Sequence, residues 1–356
     1  MGGIYVSGSI ATDHLMTFSG RFGDQLIADR LDTVSLSFLV DDLVVRRGGV
    51  AANIAYGMAS LGRRPHLVGA VGHDFADYRA ALERSGVDCS GVHVSRTAHT
   101  ARFICTTDER QCQIASFYPG AMAEAGEIDL AAVVGAAGDE PDLVIIAPDA
   151  PVAMLRHAAQ CRRAGWPFVA DPSQQIARMS GDEIREFISG ARYLMTNEYE
   201  LGLLLDKCGL SEDEVLDRTG TIVTSRGERG VRIRDRHGET EVPAAPIPAV
   251  VDPTGGGDAF RAGFLTGVAW GLPRESAAAI GCQLAWFALQ QEGGQEYAFT
   301  PEQFCTELGR HYRPILPDAV SAAALRLAPR DARPVEFLGS EMHEFQSGRH
   351  FERRAR

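Results

Sequence analysis

The stretch VVDPTGGGDAFRAGF, residues 250–264, places three consecutive glycines between two aspartates and continues as an apolar run typical of a helix. A turn without Cβ atoms lets backbone amides converge on an anion, and the helix behind it presents unpaired amides and the positive end of its dipole. Asp258 is itself negative, so we expect it to take a proton from a nucleophile that attacks a bound phosphate. The stretch therefore predicts phosphoryl transfer to a hydroxyl. A plainer interpretation stays open, in which the glycines only form a tight turn and Asp258 caps the helix.

The composition is that of a folded, acidic protein. The chain has 356 residues, 45% of them hydrophobic and 23% charged, which allows a sizeable core. Its 47 acidic residues outnumber 35 Lys and Arg, and the net charge of −12 argues against nucleic acid or an anionic membrane as a partner. Seven cysteines without a C-x-x-C pair indicate reduced thiols in a cytoplasmic protein. The sequence shows neither a basic leader nor an apolar run long enough to span a membrane.

Strand-like apolar runs alternate with segments of helical spacing. This alternation predicts a mostly parallel sheet wrapped by helices, with ligands gathered at the carboxyl ends of the strands. The ends of the predicted strands carry Asp13, Asp149, Asp171, Asn197 and Gly227. The predicted strands are IYVSGSI (4–10), HLVGAVG (66–72), LVIIAPD (143–149), PFVADPS (167–173), YLMTNEY (193–199) and TIVTSRG (221–227).

Two stretches interrupt this alternation. Residues 34–49 and 100–118 are typical of short extended segments, the second folded as a hairpin around Asp108, Glu109 and Arg110. We expect them to form a small β-lid near the edge of the main sheet. The predicted organisation is one domain over 1–316, lid segments over about 14–48 and 99–119, and a peripheral or disordered tail over 317–356.

Two groups of polar residues follow glycine turns or strands, and each has a simpler structural interpretation. Asn53 follows Gly48 and Gly49 in the first turn of a predicted helix, where its amide could pair with ligand hydroxyls or only fix the loop. Ser9 and Asp13 follow the first strand. A carboxylate at that place suits the paired hydroxyls of a sugar, although it could equally cap a turn.

A second polar region lies further along the chain. Asn197 and Glu200, three residues apart, can share a helical face and hold waters of a Mg²⁺ ion, or form a capping pair. Ser225, Gly227 and Gly230 punctuate a turn before a strand, which could line a nucleotide phosphate or be only a hairpin.

The lid hairpin carries Phe103 and Phe117 on opposite arms. These rings could stack on a planar base, although aromatic residues on a strand face are more often core. Arg178, in DPSQQIARMS, could be a cation for the transferred phosphate or a solvated helix residue.

Four motifs, taken in chain order, resemble the ribokinase-like (PfkB) family of carbohydrate and nucleoside kinases. They are GGVAAN at 48–53, NEYE at 197–200, SRGERG at 225–230 and DPTGGGDAF at 252–260. Each alone is unspecific, but their joint occurrence at these separations is highly specific. The resemblance covers about residues 1–316, and within the family the chain is most similar to bacterial adenosine kinases of actinobacterial type.

The resemblance implies a doubly wound α/β domain, a β-lid that forms a homodimer contact, and transfer of the ATP γ-phosphate to the 5′-hydroxyl of adenosine in purine salvage. By position, it implies that Asp258 is the catalytic base and that the amides of Gly255, Gly256 and Gly257 form the anion hole. For the acceptor, it implies that Asp13, Gly49 and Asn53 bind the ribose, with Ser9 and Ser37 nearby, and that Phe103 and Phe117 bind the base. For the donor, it implies that Asn197 and Glu200 bind MgATP and that Ser225, Gly227 and Gly230 border the nucleotide. It also places a monovalent cation such as K⁺ near Asp252.

The chain departs from the family pattern at two motif positions. Gly256 stands where the family usually has a small alanine, which adds backbone freedom to the cradle. Ser225 stands in place of a threonine and keeps the hydroxyl. Two alternatives remain: the same chemistry on another nucleoside or on a sugar such as ribose or fructose, and a noncatalytic nucleoside sensor. The complete set of Asp258 and glycines argues against the sensor.

Overall fold

Two β-sheets organise the protein. The computed structural model describes residues 2–26 and 32–316, so the predicted tail over 317–356 lies outside the described residues. The strands are β1 (Gly3–Ser7), β2 (Ala11–Phe18), β3 (Asp42–Gly48), β4 (His66–Val71), β5 (Val92–Val94), β6 (Ala101–Asp108), β7 (Gln113–Tyr118), β8 (Pro141–Ile146), β9 (Phe168–Ala170), β10 (Tyr193–Asn197), β11 (Thr221–Ser225), β12 (Val231–Asp235) and β13 (Gly238–Val242).

The main sheet has nine strands in the order β13-β12-β11-β10-β9-β8-β1-β4-β5. The strands from β11 to β5 are parallel, whereas β12 and β13 add an antiparallel edge. All five residues of β1 are buried, as a strand covered by helices on both faces requires. The carboxyl ends of the parallel strands therefore meet at one edge, which is where the candidate site lies.

Helices cover both faces of this sheet. The buried residues of α2, α3, α9, α10 and α11 belong to one apolar cluster, and those of α4 to α8 belong to a second cluster. The helices are α1 (Phe22–Gln25), α2 (Val50–Ser60), α3 (Ala76–Ser85), α4 (Leu130–Ala137), α5 (Pro151–Ala164), α6 (Gly181–Ile188), α7 (Glu198–Cys208), α8 (Glu212–Leu216), α9 (Gly256–Ala269), α10 (Arg274–Ala288) and α11 (Pro301–Tyr312).

The second sheet is the lid, with four strands in the order β3-β2-β6-β7. The predicted hairpin is present, because β6 and β7 pair antiparallel. The prediction of one extended segment over 34–49 was too long, since only β3 is a strand within it.

The first predicted strand, 4–10, was also wrong in its bounds. β1 ends at Ser7, and β2 begins at Ala11 in the lid, so Asp13 lies inside a lid strand rather than at the end of β1. Gly8 makes this exit from the main sheet possible. Its φ is 154°, and a Cβ there would lie 2.9 Å from the Cβ of Ala147.

Two further features concern the chain as a whole. Within residues 2–26 and 32–316, no helix is both long and apolar enough to cross a membrane. All seven cysteines fall within the described residues and are free thiols, of which only Cys112 is exposed and Cys305 half-buried.

Candidate active site

The first turn of α9 forms the glycine cradle. Gly255 is the N-cap at a φ of 77°, and the helix begins at Gly256, so Asp258 lies in the first turn and is not the cap. The amide of Gly256 donates to the carbonyl of Pro253 at 3.3 Å. Because helix geometry leaves first-turn amides without intrahelical partners, the amides of Gly255 and Gly257 are better placed than that of Gly256 to receive an anion.

The carboxylate of Asp258 faces the first turn of α2. Asn53 Nδ2 donates to Asp258 Oδ2 at 2.8 Å. Burial raises the pKa of Asp258 above its usual value, Glu200 adds to the rise, and Arg261 together with the Asn53 hydrogen bond opposes it. A carboxylate with a raised pKa is a stronger base than an exposed aspartate, as removal of a hydroxyl proton requires.

A buried chain of hydrogen bonds holds Asn53 in this orientation. Gln295 Nε2 donates to Asn53 Oδ1 at 2.8 Å and to the hydroxyl of Tyr78 at 2.5 Å. Tyr78 donates in turn to the carbonyl of Gly48 at 2.8 Å. The amide oxygen of Asn53 is therefore occupied by Gln295, and its amide nitrogen is directed at Asp258. Nothing in the sequence pattern around Gln295 indicated this role.

The loop that contains Gln295 also contacts the entry to the cradle and the lid. Gly293 N donates to Asp252 Oδ2 at 2.8 Å, and Thr254 N donates to Asp252 Oδ1 at 2.8 Å. Two lid arginines form ion pairs with the same loop, Arg46 with Glu292 and Arg47 with Glu296.

The hydrogen bonds to Asp252 decide its charge. Burial opposes ionisation of its carboxyl, but the donors from Thr254 and Gly293, helped by Arg46, hold its pKa below the usual value. Asp252 is therefore a fixed negative charge beside the cradle. Both of its oxygens already accept backbone amides, so a monovalent cation near it would use the lone pairs that remain.

Four predicted or neighbouring residues form one row across the lid. Arg46, Asp13, Phe103 and Phe117 are successive partners in the strand register, so their side chains share one face of the lid sheet. Phe103 is half-buried, whereas 49% of Phe117 is exposed. The structure thus brings together the carboxylate predicted for the ribose and the two rings predicted for the base.

Ser9 and Gly49 lie at the junction between lid and main domain. Ser9 Oγ accepts a hydrogen bond from Val50 N at 3.1 Å, so its hydroxyl caps α2. Gly49 has a φ of 94°, and a Cβ there would lie 2.6 Å from the carbonyl oxygen of Ser9. Only glycine fits this close approach, so Ser9 and Gly49 both have a structural role at this junction.

Ser37 is not brought near the ribose residues. It lies exposed in the irregular connection before β3. Its neighbour Phe38 packs on Phe18 and Phe22, at the end of β2 away from Asp13. A contact from Ser37 of the same chain to a sugar held by Asp13 would require this connection to rearrange.

Asn197 and Glu200 form the capping pair that the sequence allowed. Asn197 Oδ1 accepts Glu200 N at 2.8 Å, and Glu200 Oε2 accepts Asn197 N at 2.8 Å. Ser173 donates to Glu200 Oε1 at 3.3 Å. A carboxylate has about four acceptor sites, so Glu200 keeps capacity for waters of a Mg²⁺ ion that ATP phosphates also bind. The described residues contain no cluster of three acidic, His or Cys residues that could hold a metal ion.

The SRGERG segment joins antiparallel strands. Ser225 lies directly beside Asn197 in the register of β11 and β10, so both motifs meet at the same sheet edge. Gly227 and Gly230 have φ values of 56° and 85°, and a Cβ on Gly230 would lie 2.1 Å from the carbonyl oxygen of Val242. Arg178 lies exposed after the short turn Ser173–Ala177.

The family profile described as pfkB family carbohydrate kinase matches residues 20–301 of the chain. The chain belongs to the pfkB family of carbohydrate kinases. The ribokinase structure of Thermotoga maritima superposes on this chain with a TM-score of 0.70 at 20% identity. The match covers 87% of this chain and all of the other, and it shows that the two share the same fold. The predicted ribokinase-like α/β fold with a separate small sheet is thereby confirmed.

Two nucleoside kinases are more similar in sequence to this pfkB-family chain. The nucleoside kinase of Burkholderia thailandensis, solved in complex with inosine, superposes with a TM-score of 0.75 at 33% identity, covering 87% of this chain and 97% of the other. The nucleoside kinase of Methanocaldococcus jannaschii is 28% identical over 267 residues, which are 74% of this chain and 86% of its own.

A buried ion pair lies under the cradle of this pfkB-family chain, and the sequence motifs did not indicate it. Arg261 Nε lies 2.6 Å from Asp171 Oδ2, and Arg261 Nη2 donates to Asp171 Oδ1 at 2.9 Å. Asp171 was predicted only to lie at a strand end. The available signal was Arg261 itself, the one charged residue in the otherwise apolar run AFRAGFL.

Proposed function

We propose that the protein is a cytoplasmic adenosine kinase that transfers the γ-phosphate of ATP to the 5′-hydroxyl of adenosine, in purine salvage. Asp258 takes the hydroxyl proton while the oxygen attacks the phosphorus in line, and the cradle amides stabilise charge on the equatorial oxygens. Glu200 would hold waters of the Mg²⁺ ion that accompanies ATP, and that ion would supply further charge neutralisation. We also propose a K⁺-type cation near Asp252 and pairing of two copies through the lid.

The position of Asp258 carries this proposal. A carboxylate with a raised pKa lies in the first turn of a helix, directly after three glycines, and Asn53 donates to it at 2.8 Å. Base and anion cradle are thus adjacent, which is the arrangement that transfer to a hydroxyl requires. Family membership supports the same reaction class.

The lid row supports a nucleoside rather than a simple sugar. Asp13 can accept two hydroxyls, while Phe103 and Phe117 offer ring faces on the same side of the lid. A second candidate, a kinase that accepts several nucleosides, is favoured by the inosine complex of the Burkholderia thailandensis enzyme. The two candidates differ only in the base that the lid accepts.

A panel of nucleosides and sugars tests the acceptor. ATP-dependent phosphate incorporation should be highest with adenosine, and Phe103→Ala should raise the adenosine KM by about tenfold, because stacking on a base contributes about 1–3 kcal/mol. Ile104→Ala, on the opposite face of the same strand, is the matched control and should leave the adenosine KM unchanged, because its side chain faces away from Phe103. Phosphorylation of ribose or fructose in preference to every nucleoside would contradict the proposal, and equal rates with several nucleosides would select the second candidate.

Asp258→Asn tests catalysis separately from binding. The variant keeps the side-chain shape and should bind adenosine with an affinity close to wild type, while turnover falls at least about a hundredfold, as expected when a general base is lost. Calorimetric titration and an ADP-release assay measure the two quantities. Wild-type protein that binds adenosine without releasing ADP from ATP would point instead to a sensor.

A further inference from the structure

Arg261 is a buried cation that the proposed reaction has not yet used. It follows Asp258 by three residues on α9 and is 7% exposed, and its partner Asp171, just beyond β9, is fully buried. Two nitrogens of its guanidinium contact the two carboxylate oxygens of Asp171 at 2.6 and 2.9 Å. One hydrogen bond and one close ion-pair contact therefore hold the guanidinium against Asp171.

The guanidinium lies under the cradle as well as beside Asp171. Its Nη1 is 3.0 Å from the place that a Cβ on Gly257 would occupy. Its Nη2 is 3.9 Å from Glu200 Oε2. One immobile positive charge therefore lies between the anion cradle, the helix start that carries Glu200, and the turn that carries Asp258.

The positive charge of Arg261 offsets the repulsion between neighbouring carboxylates. Asp171, Glu200 and Asp258 bring three carboxylates into one largely buried region, and a bound nucleotide would add more negative charge. Carboxylates that are close together and buried favour their protonated forms. A protonated Asp258 could not accept the proton of a hydroxyl, so the site needs a cation that does not titrate, and arginine is such a cation.

We propose that Arg261, held by Asp171, is a positioning residue for phosphoryl transfer that keeps Asp258 ionised and adds positive charge behind the glycine cradle. The inference rests on the proposed role of Asp258 as the base. It predicts that charge at position 261 matters for the reaction beyond its contribution to folding.

The groups that act on Asp258 come from every neighbouring element. Arg261 on the same helix lowers the pKa of Asp258, as does the uncharged donor Asn53 on α2, while burial and Glu200 on α7 raise it. Asp171 beyond β9 and Tyr297 after α10 also interact electrostatically with Asp258. Removal of the positive charge should therefore raise the pKa of Asp258, so a higher pH is needed to ionise it.

The test compares Arg261→Gln with wild type. Proteins labelled with ¹³C-aspartate allow the Asp258 carboxyl to be titrated by NMR, with its signal assigned from Asp258→Asn. We expect the midpoint of the Asp258 titration to rise by about one pH unit or more, because a cation within about 4–6 Å lowers the pKa of a carboxyl by about 1–3. The pH at which kcat falls on the acidic side of its pH profile should rise by the same amount. The nucleoside KM should stay within about twofold, because Arg261 does not touch the sugar.

Two further variants separate this role from a structural one. Arg274→Gln breaks surface-side ion pairs with Asp235 and Glu275 at the start of α10, and should leave both the midpoint and kcat unchanged. The double variant Arg261→Met/Asp171→Leu removes both partners of the ion pair together, so neither is left buried without the other, and it should fold even if Arg261→Gln does not. It should still show a raised Asp258 midpoint, because Arg261 acts on Asp258 more strongly than Asp171 does.

The outcomes distinguish the two proposals. An unchanged Asp258 midpoint in a folded variant without Arg261 overturns the positioning role, whatever the activity. Full kcat in the double variant overturns it as well, since packing alone would then suffice. Wild-type protein that phosphorylates no nucleoside overturns the proposed function instead, and the NMR midpoint still reports on Arg261.

Discussion

Asp13 is a half-buried carboxylate whose charge state depends on its surroundings. Burial raises its pKa to about 6, Arg46 offsets part of this rise, and Asp252 adds to it. Its carboxylate also lies over Gly48, where a Cβ would come within 2.8 Å of Asp13 Oδ2. Asp13 therefore changes charge within a range of pH that is easily reached in an assay.

This pKa predicts how nucleoside binding depends on pH. The ionised carboxylate accepts hydrogen bonds from sugar hydroxyls, so binding favours the charged form, which is lost as pH falls through about 6. The adenosine KM should therefore rise about tenfold for each unit of pH well below the pKa. Steady-state kinetics from pH 5 to 8 check this, and Asp13→Asn should have a high KM without that dependence. A wild-type KM that stays constant over this range would rule out the assigned contact.

Individual site residues differed in how well the sequence predicted them. The turn and helix start that contain Asp258 and the glycines were predictable because a local motif determines both. Arg261 and Gln295 were not, because their importance arises from partners far away in the chain, Asp171 and Asn53. Ser37 illustrates a different difficulty. The resemblance assigned it to the ribose, but it lies away from Asp13 within its own chain.

At the scale of the elements, the packing of α9 accounts for the glycine at position 256, where the family usually has alanine. A Cβ on Gly256 would lie 2.6 Å from Leu289 Cδ2. The side chain of Leu289 therefore fills the space that an alanine methyl would take. The glycine is compatible with a helix start because the first turn is also held by the packing of α9 against α2 and α10.

The sequence predicted which segments form the central strands of the main sheet, but not where the chain leaves that sheet for the lid. The parallel strands β4, β8, β9, β10 and β11 are short apolar runs, and that pattern located each of them, although the predicted ends lie one to three residues beyond the observed ones. The boundary between β1 and β2 was missed because both segments are extended, and alternation along a strand does not show which sheet it joins. The strand expected after the turn at Ser225–Gly230 is present as β12, which pairs antiparallel with β11, whereas β13 was not predicted.

At the scale of the whole molecule, one face of the lid carries several exposed apolar side chains. The strand register places these side chains on the face opposite Asp13 and Phe103. Exposed apolar side chains grouped on one sheet face favour a contact with another protein surface. These side chains and their exposed fractions are Leu43 (54%), Val45 (55%), Ile104 (36%), Ile114 (46%) and Tyr118 (42%).

We expect this face to join two copies of the chain, and Val45→Glu to produce monomers. A charge buried in an apolar contact without a partner costs several kcal/mol, so the dimer should dissociate at micromolar concentration. Light scattering coupled to gel filtration measures the mass. Val152→Glu on α5, an equally exposed valine, is the control and should leave the mass unchanged. A wild-type protein that is monomeric at high concentration would disprove the contact.

The contact between Gly255 and Gly294 limits how such a chain can evolve. A Cβ on Gly255 would lie 2.6 Å from Gly294 Cα, and a Cβ on Gly294 would lie 2.8 Å from Asn53 Nδ2. Neither glycine can be replaced without moving backbone or the amide that faces Asp258. Single substitutions at these two positions are therefore resisted, whereas the exposed lid residue Phe117 is free of such a constraint, so acceptor choice can diverge between descendants while the phosphate chemistry is inherited unchanged.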